Sequence, residues 1–348
     1  MMAFQPIKYN SKKIKLHKAI VSPDFNNKTV LVRNHWDYVE MWLQRKKHHK
    51  AIEYWGQAKS FYEASVDIPN TAAPLTLYYS FLNATKAMLT VKGINFVEQH
   101  GAKGRFRTGN TNLNNEIITF QPNGILSSLC NYFDEPCNKE QYSLKNLLYN
   151  LPFIHRCFNL TYPTHYPEIY IPIVNPHFVI LDKGHKAWLC AELSGNYANS
   201  HIINKITPMS FEKDNGVTNK FVIRKRTRFN WYRSGANKSD NIKNITKYHK
   251  NIRRDILYIL GSNTLWYLKR RGQPNTIDRH PLTIMFAAMH RISELARYQP
   301  TVLYRHFEMK QNWLLSEFIK GAPFEFIDQI ACEMTNQNFM QPAVRYPN

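Results

Sequence analysis

The stretch PLTLYYSFLNATKAMLTVKG, residues 74–93, decides how this chain is read. Pro74 opens it and Gly93 closes it, the usual punctuation of a helix. Between them Leu75, Tyr78, Leu82 and Leu89 fall on one side. Tyr79, Asn83, Lys86 and Thr90 fall at i, i+4, i+7 and i+11 on another. So apolar a segment belongs to a helical core. Its polar stripe then faces a polar pocket or holds neighbouring helices in register by hydrogen bonds.

Upstream, from Trp36 to about Ala64, apolar residues recur at helical steps through Val39, Trp42, Leu43, Ala51, Trp55 and Ala58. Residues 1–30 read as an irregular or strand-like arm. Downstream, 94–140 is mixed, and Tyr142 to Phe158 reads as another helix. From Glu168 the pattern changes to short β-branched and aromatic runs, EIYIPIVNPHFVILD, KAWLCAEL and KFVIRKRTRFNWY, as far as Tyr232. Helical periodicity is expected again over 242–271 and 281–298, with a helix-rich tail. The class expected is α+β, predominantly α-helical. Four parts are expected: an arm (1–30), a helical region (31–165), a β-rich basic insertion (166–235) and a C-terminal helical region (236–348) packing on the N-terminal helices.

The 348 residues carry 46 basic and 25 acidic side chains, a net charge of +21. Hydrophobic content of 43% with 14% aromatic excludes a disordered chain. The charge implies a phosphate-rich partner, or else a compositional bias toward lysine spread along the chain. Five cysteines, an odd number with no C-x-x-C, suggest neither a disulfide framework nor a zinc ribbon. No apolar run reaches signal-peptide or membrane-span length, so a cytoplasmic protein without a membrane partner is expected.

Three constellations stand out. The 281–298 helix, PLTIMFAAMHRISELARY, carries His290, Glu294 and Arg297 at i, i+4 and i+7. If its stripe meets that of the 74–93 helix, then Tyr79, Asn83, Lys86, Glu294 and Arg297 form a polar pocket. Lys86, His290 and Arg297 would converge there on an anion, or Glu294 would neutralise one of the cations. The second constellation is 220–254, with twelve Lys or Arg against the single acid Asp240. Arg224, Arg226 and Arg228 alternate as on one strand face, and Trp231 follows. Guanidinium forks bind phosphates and aromatic rings stack on bases. The candidate nucleic-acid contacts are therefore Arg224, Lys225, Arg226, Arg228, Trp231, Arg233, Lys247, Lys250, Arg253 and Arg254, with a solvated charged face as the alternative. The third is Gly101-Ala-Lys-Gly104, flanked by His100 and Arg105, which reads as a plain turn or a phosphate-wrapping loop. No metal-ligand spacing, Walker loop or dinucleotide fingerprint occurs, so no metal and no cofactor are expected.

QAKSFYEAS, PLTLYYSFLNATKAML, His100-Gly101, NGILSSL (123–129), YSLKNLLYNLP (142–152) and RYQP (297–300) together resemble the YaaC-like protein family. The LYYSFLNATKAML helix is also similar to the first long helix of HEPN domains. That likeness implies a HEPN-like helical core, homodimerisation, and a setting in antiphage defence with a partner protein of the same system. Active HEPN ribonucleases use R-x(4–6)-H, and no Arg here has His at that spacing. The expected function is nucleic-acid binding, RNA ahead of DNA. The alternatives are a metal-independent ribonuclease and an oligomeric scaffold with a basic face. For the ribonuclease, His100 or His290 is the candidate acid or base, and Lys86 and Arg297 stabilise charge.

Overall fold

The computed structural model describes residues 4–341 except 165, 218, 234–236 and 262. In chain order come β1 (Phe4–Pro6), β2 (Lys8–Tyr9), β3 (Lys12–Lys13), β4 (Val30–Leu31), α1 (His35–Arg45), α2 (His49–Glu63) and α3 (Ala73–Val91). Next are β5 (Ala102–Phe106), β6 (Glu116–Phe120), α4 (Ile125–Tyr132), β7 (Gln141–Ser143), α5 (Leu144–Tyr149) and α6 (His155–Thr161). Then follow β8 (Tyr170–Leu181), β9 (Lys186–Glu192), α7 (Ser200–Ile206), β10 (Phe211–Lys213), β11 (Val222–Lys225), β12 (Phe229–Asn230), α8 (Lys238–Ile252), β13 (Ile256–Ile259) and β14 (Leu265–Lys269). The last are α9 (Pro281–Tyr298), α10 (Pro300–Phe307), α11 (Asn312–Thr335) and β15 (Phe339–Met340).

The expected helical dominance with a HEPN-like core is corrected by this element list. Among the described residues eleven α-helices, with 45% of the residues helical, stand beside a large antiparallel sheet and several smaller ones, so the class is mixed α+β. Much of the discrepancy lies in 242–271. The helix there stops at Ile252, and Ile256–Ile259 pairs antiparallel with Leu265–Lys269, Ile256 opposite Leu268. Both runs are β-branched or aromatic and are separated by a Gly261-Ser262-Asn263 break, which favours a hairpin over a continued helix. Two other expected helices are interrupted. Lys47, at φ 59, breaks the 36–64 stretch into α1 and α2. Pro152, without an N–H, parts α5 from α6.

The chain divides into two compact units. The sheet unit comprises Met1–Val30, Glu168–Gln273 and Asn336–Met340. Its eight-stranded sheet runs β10-β11-β9-β8-β14-β13, with β1 on β8 and β12 on β9. β8 and β9 pair through His177–Cys190 and Val179–Trp188, with a register shift between Val174 and His177. Asn175, at φ 49, lies in that bulge. One face is covered by α8, whose Ile245, Tyr248 and Ile252 join Phe178, Leu189, Ile223 and Phe229 in one core. Tyr248 Oη accepts from Leu189 N at 3.2 Å and donates to Thr227 O at 2.8 Å, pinning helix to sheet.

The helical unit comprises Leu31–Pro167, Pro274–Thr335 and Gln341–Asn348. Helix α3 is buried on almost every side, as its composition requires. Phe81 stacks on Phe326 of α11 with centroids 3.9 Å apart, and Tyr78 meets Phe286 of α9 edge-on. Each fully buried phenylalanine contributes roughly 1.5–3 kcal/mol of transfer free energy. Trp55 Nε1 donates to Trp36 O at 3.0 Å and locks α2 to α1. Strands β5, β6 and β7 form a small antiparallel sheet.

Candidate functional site

The two polar-striped helices meet in the helical unit. Tyr78, buried on α3, has its hydroxyl 2.7 Å from Nδ1 of His100. Burial raises the Tyr78 phenol far above its ordinary value, so it stays protonated and can donate. His100 is fixed from its backbone. Ile125 N and Leu126 N, in the first turn of α4, donate to the carbonyls of Gln99 and His100 at 2.8 and 3.2 Å. Gly101 (φ +78) and Gly124 (φ +119) allow this, for a Cβ on Gly124 would lie 2.5 Å from Gly101 N. The His100-Gly101 and Asn123-Gly124 pairs are thus two halves of one clamp.

His290 of α9 is 4% exposed, its ring 5.0 Å from that of Tyr78 and 5.6 Å from that of His100. Its Nδ1 makes no hydrogen bond among the described residues and lies 3.8 Å from Glu294 Oε2. Burial first, then His100 and Arg291, push it down to about 3, so it is neutral at pH 7. Burial also lowers His100, with Lys86 and Arg297 acting the same way and Glu294 opposing them. The exposed ring of His100 therefore stands in the field of both cations, with Nδ1 tied to a phenol and Nε2 without a hydrogen bond among the described residues.

Beneath it runs a closed ionic network that the sequence reading did not anticipate. Arg291 donates through Nε and Nη2 to Glu116 Oε2, at 3.0 and 2.6 Å. His306 Nε2 meets Glu116 Oε1 at 3.0 Å, and Gln311 Nε2 donates to His306 Nδ1, also at 3.0 Å. That fixes the proton of His306 on Nε2, facing the carboxylate. Arg291 Nη1 reaches Glu294 Oε2 at 3.2 Å, and Glu294 Oε1 accepts Gly104 N at 3.2 Å. Gly104 thus lies in strand β5 with its N–H committed to a carboxylate, which removes it from any phosphate loop.

The remaining members of the expected pocket have internal partners or solvent exposure. Lys86 pairs with Glu98 and lies 5.4 Å from the Tyr54 ring. Asn83 Nδ2 donates to Tyr79 O, and the Tyr79 ring stacks on Phe61. Arg297 is exposed, 5.0 Å from the Tyr298 ring. Among the described residues no group of His, Cys, Asp and Glu is arranged to hold a metal ion.

The sheet unit holds the other candidate residues, in two populations. Three are in the interior. Lys225 donates to Asp255 Oδ2 and Met209 O, Arg253 donates to Ile256 O and Lys18 O, and Trp231 lies in the core. None of these three side chains is placed to meet a large ligand. Arg224 and Arg226 share Glu212 at 2.7 and 3.0 Å, and Arg224 also lies 3.8 Å from the buried Asp214, so both guanidinium groups have carboxylate partners. Arg233 caps Leu181 O at 2.7 Å, and Arg228 lies 4.8 Å over Trp188. Arg226, Arg228 and Arg233 are exposed as well, and a further outward set runs along α8 and into the turn after it. Lys243, Lys247, Lys250 and Arg254, at i, i+4, i+7 and i+11, run opposite the buried Ile245, Tyr248 and Ile252; Lys250 is half-buried and the other three are exposed. The hairpin β2–β3 adjoins the start of α8 through Lys238, which donates to Asn10 and covers Tyr9. That hairpin places Lys8 opposite Lys13, both exposed.

In comparisons with known proteins, the chain matches the model of the YaaC-like protein family over residues 16–334, nearly its whole length, and it belongs to that family. No curated protein and no solved structure matches it. Among the described residues no helix is long and apolar enough to cross a membrane.

Proposed function

We propose that this YaaC-like protein binds nucleic acid, RNA in preference to DNA, through its sheet unit. The observation that carries the reading is the segregation of charge. The sheet unit has 25 basic against 8 acidic side chains, a net +17, whereas the larger helical unit has 21 against 17, a net +4. A lysine bias of composition would act on both units alike. Within the sheet unit, Lys243, Lys247 and Arg254 and the Lys8 and Lys13 of the 8–13 hairpin are exposed. Lys8 opposite Lys13 is a cross-strand like-charge pair, a cost that a bound phosphate removes. Phosphate contacts of this kind set affinity and register, not sequence.

The test is a binding titration of fluorescent single-stranded RNA with the full chain and with Lys243→Glu/Lys247→Glu. Loss of at least tenfold in affinity is expected, about 1.4 kcal/mol or more for reversing two phosphate-facing charges. Unchanged affinity would remove the α8 stripe from the interface.

A second reading is favoured by the Tyr78–His100 bond. With Tyr78 donating to Nδ1, the exposed His100 presents Nε2–H in the field of Lys86 and Arg297, suited to donate to a phosphodiester oxygen as negative charge develops on it. His290, neutral and buried, would then serve to position His100. RNA cleavage that disappears in His100→Ala supports that reading, and cleavage that persists excludes His100.

A further inference from the structure

At the end of α4 two cysteines are brought together by backbone hydrogen bonds. Phe133 N and Glu135 N both donate to the carbonyl of Cys130, at 3.0 and 2.9 Å, and Asp134 adopts φ 56. The chain therefore folds back as soon as the helix stops. This return lays Cys137 against the helix face that carries Ser127, Cys130 and Asn131. The Cys137 thiol lies 2.9 Å from Asn131 Oδ1 and 3.3 Å from Ser127 O. The Cys130 and Cys137 side chains are close enough to influence each other's titration. Arg279 Nη1 donates to Cys130 Sγ at 3.3 Å and places a buried cation beside the pair. Cys130 is 1% exposed, while Cys137 is only half-buried.

We propose that Cys130 and Cys137 are a peroxide-responsive pair, with Cys137 the attacking sulfur and Cys130 the resolving one. In the first step the Cys137 thiolate attacks a peroxide oxygen, the O–O bond breaks, and sulfenic acid and hydroxide (or alkoxide) form. In the second, the Cys130 sulfur attacks the sulfenic sulfur. An S–S bond forms, the S–O bond breaks, and the Cys130 proton leaves with the hydroxyl as water. Two thiols are oxidised and one peroxide is reduced.

Polarity fixes the order. The neighbouring Cys130 thiol, and the Arg279 cation, bring the Cys137 thiol down to about 6 despite some burial. Cys130 is held well above its ordinary value, and burial raises Cys157 and brings Cys190 up to about 12. The pair also touches the root of α9. Arg279 donates to Glu135, Pro136 O and Glu140, and Glu135 accepts His280 N. Oxidation would thus alter the sulfur contact of the arginine that anchors the helix carrying His290. This inference does not depend on nucleic-acid binding.

The experiment treats the full-length reduced protein with hydrogen peroxide, blocks remaining thiols, and maps cysteine-containing peptides by mass, with urea-unfolded protein as control. The expected product is an intramolecular Cys130–Cys137 disulfide, formed in the folded protein and not selectively in the unfolded one. At neutral pH Cys137 is expected to alkylate roughly tenfold faster than Cys157, as its larger thiolate fraction requires. Cys130→Ser should trap sulfenic acid on Cys137, and Cys137→Ser should leave Cys130 reduced. Faster oxidation of Cys157, or a folded protein in which Cys130 and Cys137 are not linked, would overturn the proposal. The wild-type map decides the matter even if a variant fails to fold.

Discussion

Tyr78 holds His100: the buried phenol of α3 lies 2.7 Å from the Nδ1 of an exposed imidazole. Because burial keeps the phenol protonated, it can act as the donor, and the proton of a neutral His100 is then on Nε2, directed to solvent. Tyr78→Phe removes that donor. The expected cost is about 1 kcal/mol of stability. The more specific consequence is that the ¹⁵N shifts of His100 move toward the tautomer mixture of free imidazole. Unchanged shifts would mean that Tyr78 does not set the tautomer.

The network under that pair should be less tolerant. Glu116 accepts from both Arg291 and His306 in a fully buried setting. Glu116→Gln leaves the buried arginine with only the more exposed Glu294 as counter-charge, and a loss of about 3 kcal/mol is expected in denaturant unfolding. Gly104→Ala should also destabilise, since its Cβ would fall 1.7 Å from Glu294 Oε2 and 2.7 Å from Arg291 Cδ. About 1–3 kcal/mol is the usual range for such overpacking.

Acid should destabilise the protein from a higher pH than carboxylate titration alone explains. His17 and His290 are lowered from 6.5 to about 3 in the fold, both chiefly by burial. His249 is held well below its ordinary value, again chiefly by burial. A group depressed in the folded state stabilises fully above its unfolded value and loses that contribution as pH falls. The window therefore runs from about 6.5 down to about 3, where the unfolded chain binds protons that the fold excludes. Each such histidine removes about 2 kcal/mol by pH 5. Thermal melts from pH 8 to pH 5 should show the fall, and His290→Gln should flatten it.

Much of the helical unit was legible because its periodicity and its punctuation agree. Pro74 and Gly93 bracket α3, and Pro281 and Gln299-Pro300 bracket α9. The hairpin of β13 and β14 was missed because short apolar runs such as ILYIL fit helix and strand equally until a partner strand is known. The expected arginine face was legible as charge but not as geometry. Lys225 and Arg253 turn inward to Asp255, Met209 O, Ile256 O and Lys18 O, and all of these acceptors except Ile256 O lie far from their donors in sequence. Glu116, within the apolar run EIITF, was the one available signal of the buried network, since a carboxylate in a buried strand requires cations from elsewhere. Lys247, Lys250 and Arg254 were among the candidate contacts, whereas Lys243 was missed although its helical spacing to them was there to be read.

Binding by the sheet unit is tested most directly by the salt dependence of its affinity. Log affinity for single-stranded RNA is to be measured against log salt concentration for the wild type and for Lys243→Glu/Lys247→Glu. A steep negative slope is expected, about 0.7 for each neutralised phosphate, and it should shrink by more than one in the double variant. A flat slope, or the same slope in both proteins, would contradict nucleic-acid binding through this face.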